Sequence, residues 1–204
     1  MMFDMKGKFE LGVDEVGRGP LAGPVCVGVF LCTSKCKKKI ATLSYKLKDS
    51  KKLSSLMREK WFTEIALWKK EGIVDFAVSF VDASIIDKKG ISFSISKAIT
   101  LCLQKLKKRN NFSFKVPILV DGGLKAPVSY SIQKTIIKGD EKEIAIALAS
   151  VVAKVSRDRL MNVYAKKYPK YHFNEHKGYG TKKHFEKIKL HGLSPVHRKT
   201  FIRI

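Results

Sequence analysis

Acidic side chains are scarce in this chain. Eighteen Asp and Glu stand against forty-one Lys and Arg in 204 residues, a formal charge of +23. So large an imbalance points to a polyanionic partner, of which nucleic acid and an anionic membrane surface are the usual ones. Long apolar runs are lacking too. The longest, 24-PVCVGVFLC-32 and 144-IAIALASVVA-153, fall short of the ~20 residues that span a bilayer. The opening MMFDMKGKFE has no apolar export core, so a cytoplasmic protein that does not enter membranes is expected. Only four cysteines occur, Cys26, Cys32, Cys36 and Cys102; they form no CxxC pair and have no neighbouring His ligand set. That argues against both a disulfide framework and a zinc module. Internal repeats, low-complexity linkers and sharp composition shifts are also absent. With 45% apolar residues, one full-sized globular domain is expected.

What is present alternates between strand and helix. Segments 8-KFELGVDEV-16 and 24-PVCVGVFLC-32 read as strands, and the Gly/Pro-rich turn between them as a hairpin. Residues 33–53 read as a Lys-rich loop ending in 49-DSKKLS-54. A helix over 55–71 follows, with Leu56, Phe62, Ile65 and Trp68 on its apolar face, a cap at Ser54 or Ser55, and Gly72 as its stop. Next come a strand over 73–81, Asp82 as the cap of a short helix, and a helix over 91–109. The apolar run 115-KVPILVDGG-123 reads as a buried central strand with Asp121 at its end. A strand over 134–140 ends on Asp140, which is expected to cap a long helix over 141–167. That helix carries one buried stripe of Ile144, Leu148, Val151, Val152 and Val155. One more helix is expected after Thr181. The expectation is an α/β domain with a mixed sheet flanked by helices over 1–168, and a C-terminal helical extension over 169–204 packed on it.

Three stretches carry candidate chemistry. Gly17-x-Gly19-x-x-Ala22 formally matches a dinucleotide fingerprint, but Pro20 and Pro24 lead into a β-type run where a helix should open. A cofactor loop is therefore rejected. Asp14, Glu15, Asp121 and Asp140 lie at strand ends beside apolar runs, whereas most other acids are interspersed with lysine. Acids so placed are costly unless paired with cations, and carboxylate oxygens favour Mg²⁺ or Mn²⁺. Asp14 and Glu15 are adjacent, so in an ideal strand they face opposite ways; a bend at the glycines, or a backbone carbonyl, is needed to bring both to one site. In 176-HKGYGTKKH-184, Tyr179 sits between glycines amid lysines, placed to stack on a base or sugar. His172, His176, His184, His191 and His197 have no zinc spacing and are expected at the surface or on phosphates.

The blocks 13-VDEVGRGPLAGPV-25, 49-DSKKLS-54, 119-LVDG-122, 138-KGD-140, 149-ASVVAKVSRDRLM-161, 176-HKGYGTKKH-184 and 191-HGLSPVHRKTF-201 together resemble ribonuclease HII over nearly the whole chain. The resemblance implies a ribonuclease H-like fold with a C-terminal helical extension. It also implies an endoribonuclease that hydrolyses the RNA strand of RNA/DNA hybrids and incises 5′ of ribonucleotides embedded in duplex DNA, leaving 3′-hydroxyl and 5′-phosphate ends. By motif, Asp14, Glu15, Asp121 and Asp140 correspond to the family's four acids. Gly17-Arg18-Gly19 corresponds to the reader of the 2′-hydroxyl, and Tyr179 to the tyrosine that stacks on the following deoxyribose. Two ions about 3.5–4 Å apart would then act on an in-line displacement. Lys51, Lys52 and Lys154 are expected phosphate contacts, which position a duplex without reading its sequence.

Two departures stand out: Gly90 where the family commonly has asparagine, and His172 where glycine is usual. Two rivals are a ribonuclease HIII-like enzyme and a non-catalytic basic nucleic-acid-binding protein. Arg18 and the short stretch before the first strand argue against the former. A monomer is expected.

Overall fold

The computed structural model describes residues 9–43, 47 and 53–203. Its centre is a five-stranded sheet in the order β3-β2-β1-β4-β5, built from β1 (Phe9–Val16), β2 (Val25–Thr33), β3 (Asp75–Val81), β4 (Ile118–Asp121) and β5 (Gln133–Ile136). The β1–β2 and β2–β3 pairs are antiparallel. The β1–β4 and β4–β5 pairs are parallel, so the sheet is mixed.

Alternation within the strands makes two cores. Leu11, Val13, Val25, Val27, Val29 and Leu31 face one side. They are covered there by α3 (Ala83–Lys89) and α4 (Ile91–Asn110), the latter through Ile95, Ile99, Cys102, Leu103 and Leu106. On the other side, Phe30 packs with Trp61, Ile65 and Trp68 of α2 (Ser55–Lys70) and with Ala145, Leu148 and Val152 of α6 (Ile144–Lys167). Each such side chain taken fully from water contributes about 1.5–3 kcal/mol. Glycine sets how near α6 comes. A Cβ on Gly12 would lie 2.1 Å from the Ala145 carbonyl carbon, and one on Gly28 2.4 Å from the Ala149 oxygen. These two missing side chains let the helix lie directly on the sheet.

Several local expectations give way. Within 33–53, Ser34–Thr42 is a helix, α1. The Thr33 side chain caps it by accepting from Cys36 N–H, while Cys36 is buried and Ile40 packs on the core. Leu56 lies on the open side of α2 and is 77% exposed. The cap of α2 is Ser54, and its stop is a Schellman turn in which Gly72 N–H donates to Lys69 and Ile73 N–H to Trp68. Asp82 occupies the cap position of α3 without a side-chain hydrogen bond. Asp140 does not cap the long helix. It lies inside a separate turn, α5 (Gly139–Lys142), and α6 begins after Glu143. From Ala145 to Ala153 every residue of α6 is buried, not a single stripe, because the helix is covered on several sides. Beyond Pro169 follow two short turns, Pro169–Tyr171 and α7 (Phe173–His176), then α8 (Lys182–His191) capped by Thr181, and a final turn, Lys199–Phe201. Among the described residues no helix is long and apolar enough to cross a membrane.

Candidate active site

Strands β1 and β4 run side by side with Leu11 opposite Ile118, Gly12 opposite Leu119 and Val13 opposite Val120. One residue further along both strands come Asp14 and Asp121, side by side on the face covered by α6. Across β1 from Asp14 is Gly28, whose lack of a side chain lets α6 bring Ser150 to the carboxylate. Asp14 is 3% exposed, and one of its oxygens accepts from Glu15 N–H at 2.8 Å. Its carboxyl is held well above the ordinary range, first by burial. The Ser150 hydroxyl bonded to it acts in the opposite sense, and the charges of Glu15 and Asp121 push it further up.

These acids open into a cleft of about 380 Å³. Asp14, Glu15 and Asp121 line it, as do Gly17, Arg18, Gly19, Lys154 and Tyr179. Adjacency of Asp14 and Glu15 is accommodated by where the neighbouring strand stops. Glu15 is still paired with Val27 of β2, but β4 has ended at Asp121, so that edge of β1 is open and Glu15 lines the same cleft. Its carboxylate is 3.8 Å from Arg18. With the arginine mostly in solvent, that pair contributes under about 1 kcal/mol, so the guanidinium is available to a substrate.

Asp140 is brought close but not onto the cleft wall. It is buried in α5 next to Gly139, whose N–H donates to Asp121 at 2.6 Å. Lys154, one turn beyond Ser150, donates to Asp158 at 2.8 Å. Lys51 and Lys52 lie outside the described residues. Among the described residues no three His, Cys, Asp or Glu side chains form a ready ligand set for a metal. The donor chemistry nonetheless fits a hard divalent cation: carboxylate oxygens, one of them disfavoured as an anion by burial and by its acidic neighbours.

The histidines correct the surface expectation. His184 and His197 are buried, at 0% and 3% exposure, and their bonds fix their tautomers. Ser194 N–H donates to His197 Nδ1 at 2.9 Å, so the proton is on Nε2, which meets His184 Nε2 at 3.0 Å. His184 then donates through Nδ1 to the Tyr179 carbonyl at 2.9 Å. His176 accepts from Gly178 N–H and donates to the Tyr171 carbonyl. Burial lowers His184 and His197 to about 4, so both are neutral at pH 7 and serve as struts under the Tyr179 loop.

Sequence reasoning passed over Ser150 and Arg58, which also line the cleft. A serine within an otherwise apolar helical stretch was the available signal for the first. The two departures have backbone explanations. His172 sits at φ +55°, where glycine is the usual occupant, and is held by Glu175 at 3.2 Å. Gly90 joins α3 to α4 at φ +83° with open space around it.

The profile of the family described as Ribonuclease HII matches residues 11–204. A ribonuclease HII of Endomicrobium trichonymphae is 45% identical over 190 residues, covering 93% of this chain and 83% of the relative. In structure, the chain resembles the ribonuclease HII of Archaeoglobus fulgidus solved in complex with PCNA, with a TM-score of 0.72, 23% identity and 96% of both chains covered. Bst-RNase HIII in complex with Mn²⁺ shares the fold at a TM-score of 0.65 and 17% identity, over 93% of this chain and 64% of that one.

Proposed function

The chain belongs to the ribonuclease HII family, and from that membership we propose how its cleft works. It is an endoribonuclease acting on RNA/DNA hybrids, and it cuts duplex DNA on the 5′ side of an embedded ribonucleotide. The observation that carries this reading is the meeting, in one cleft, of Asp14, Glu15 and Asp121 with the Gly17–Gly19 turn and Tyr179.

Asp14, Glu15, Asp121 and Asp140 would hold Mg²⁺ or Mn²⁺ through their carboxylate oxygens. Two divalent ions, when bound, supply activation of a water and charge stabilisation at the leaving 3′-oxygen. The water oxygen adds to phosphorus, the P–O3′ bond breaks, and a proton ends on the 3′-oxygen. The protein's part is to fix geometry. Ser150 orients Asp14, Gly139 N–H holds one oxygen of Asp121, and the parallel ends of β1 and β4 set Asp14 beside Asp121. Gly19 has no atom within 4 Å of where a Cβ would stand, so the backbone there admits a ribose closely. The 2′-hydroxyl is what separates RNA from DNA at such a contact. Tyr179, 42% exposed, offers its ring to the next sugar. Arg58, Lys154 and the excess positive charge hold the phosphates.

The direct test is duplex DNA carrying one ribonucleotide, incubated with Mg²⁺, Mn²⁺ or chelator, with the cut mapped. A single metal-dependent incision 5′ of the ribonucleotide, leaving 3′-hydroxyl and 5′-phosphate ends, is expected. Cutting in chelator, or cutting indifferent to the ribonucleotide, would overturn the reading.

A further inference from the structure

Two arginines that the chemistry above does not use are fully buried: Arg157 in the middle of α6 and Arg198 just before the final turn. Among the described residues, neither has a carboxylate within salt-bridge distance. A buried guanidinium without an anion is expensive, and burial lowers the affinity of both for their protons, Arg198 to about 9. All six of their side-chain hydrogen bonds go to backbone carbonyls. Arg198 donates to Gly17 at 2.6 Å, Arg18 at 2.9 Å and Gly23 at 2.9 Å. Arg157 donates to Ala22 at 3.2 Å, Pro24 at 3.0 Å and Lys177 at 3.0 Å.

Five of those six carbonyls belong to residues 17–24, and the sixth adjoins the Tyr179 loop. The two loops are also bonded to each other directly, Leu21 and Ala22 N–H both donating to Gly178. The glycines of the turn are fitted to the arginine. A Cβ on Gly17, at φ +86°, would lie 2.2 Å from Arg157 Nε, and one on Gly23, at φ +85°, 2.5 Å from Met161 Sδ and 3.3 Å from Arg157 Nη2.

In a trans peptide the C=O of one residue and the N–H of the next point in opposite directions. Pinning the Gly17 and Arg18 carbonyls onto Arg198 therefore turns the Arg18 and Gly19 N–H groups away from the buried guanidinium. Neither N–H is donated to a protein acceptor among the described residues. We propose that Arg198 is a positioning residue that aims the Arg18 and Gly19 N–H groups into the cleft at the ribonucleotide, and that Arg157 locks this turn to the Tyr179 loop so that both contacts move as one body. The proposal rests on the reading of Gly17–Gly19 as the ribose reader. Arginine is required because its planar fork reaches several carbonyls at once, which a lysine ammonium cannot reproduce.

The test measures binding in chelator, and kcat and KM with Mn²⁺, on duplexes with and without one ribonucleotide. Arg198→Lys is compared with Gly19→Ala. Arg198→Lys keeps the charge and is expected to lose about tenfold in preference for the ribonucleotide-containing duplex, mainly through KM, while all-DNA affinity stays within about twofold. If Arg198→Lys keeps the preference while Gly19→Ala loses it, the positioning role is wrong and the turn still reads the ribose. If Gly19→Ala keeps it too, the reading of the turn fails and the proposal with it. Amide hydrogen exchange on the unaltered protein covers the case in which Arg198→Lys does not fold. Arg18 and Gly19 should exchange fast when free and become protected only with the ribonucleotide duplex, while Leu21, Ala22 and Gly23 are slow throughout. Slow exchange at Arg18 and Gly19 in the free protein would overturn the proposal.

Discussion

On the β1–β4 side of the cleft, Asp14, Glu15 and Asp121 crowd like charges at the ends of two parallel strands, and Asp14 is pushed toward its protonated form. Elsewhere around the cleft, the turn 17–24 and the Tyr179 loop are held by six arginine bonds and a relay of neutral histidines. The first half is left electrostatically incomplete, and the second is finished before any ligand arrives. On the proposed reading, strain of like charges serves chemistry that needs cations, since the ions would be drawn to the place where they act. Discrimination between a ribose and a deoxyribose needs the reverse, because a loop that yields to either sugar distinguishes neither.

The widest gap between the halves should appear on neutralising an acid. Asp121→Asn or Asp140→Asn is expected to lower metal-dependent cleavage at least about a thousandfold, with hybrid affinity in chelator within a few-fold of the parent. Residual cutting near the parent rate would end the carboxylate assignment. Next comes the rigid half. Gly17→Ala places a methyl against Arg157 at positive φ and should cost about 3 kcal/mol in denaturant unfolding. Gly19→Ala, two residues on, has open space around it and should stay within about 0.5 kcal/mol. Equal losses at the two positions would mean the turn is not clamped as described.

A smaller effect is expected from pH. His184 and His197 are depressed to about 4 in the folded protein, so the unfolded chain takes up their protons first as pH falls. The stability they provide is intact above about pH 6.5 and is lost toward pH 4, amounting to roughly 2–3 kcal/mol for each histidine. Unfolding curves at pH 7 and pH 4.5 should converge in a His184→Gln variant by that amount. The smallest effect belongs to the incomplete half. Mn²⁺ at about ten times its dissociation constant should stabilise the protein by about 1.4 kcal/mol. Asp14→Asn should shrink that gain, and should itself be more stable than the parent in chelator at pH 7.

The acids, the Gly17–Gly19 turn and Tyr179 were all conspicuous in the sequence, but the buried side chains that hold the turn and the tyrosine loop were not. Acids beside apolar runs are conspicuous in a basic chain, and β1, β2 and β4 follow from their runs of Val, Ile and Leu. Arg157 and Arg198 are two among forty-one cations, and nothing in their spacing reveals that carbonyls from a distant turn will surround them. His184 and His197 looked like surface residues for the same reason, since their partners are each other, Ser194 and a main-chain oxygen. Helix α1 was passed over because its lysines hide the two positions, Cys36 and Ile40, that pack inward. Asp140 was misplaced as a cap because a short turn, invisible to periodicity, intervenes before α6.

The bond from Arg198 to the Arg18 carbonyl joins positions 180 apart in sequence. All five strands and the acids precede Pro169, so during synthesis the sheet can form and gather its carboxylates while residue 198 is still unmade. On the reading proposed above, a growing chain would acquire the means to cut before the means to choose, and only the late arrival of its last segment would restrict one by the other.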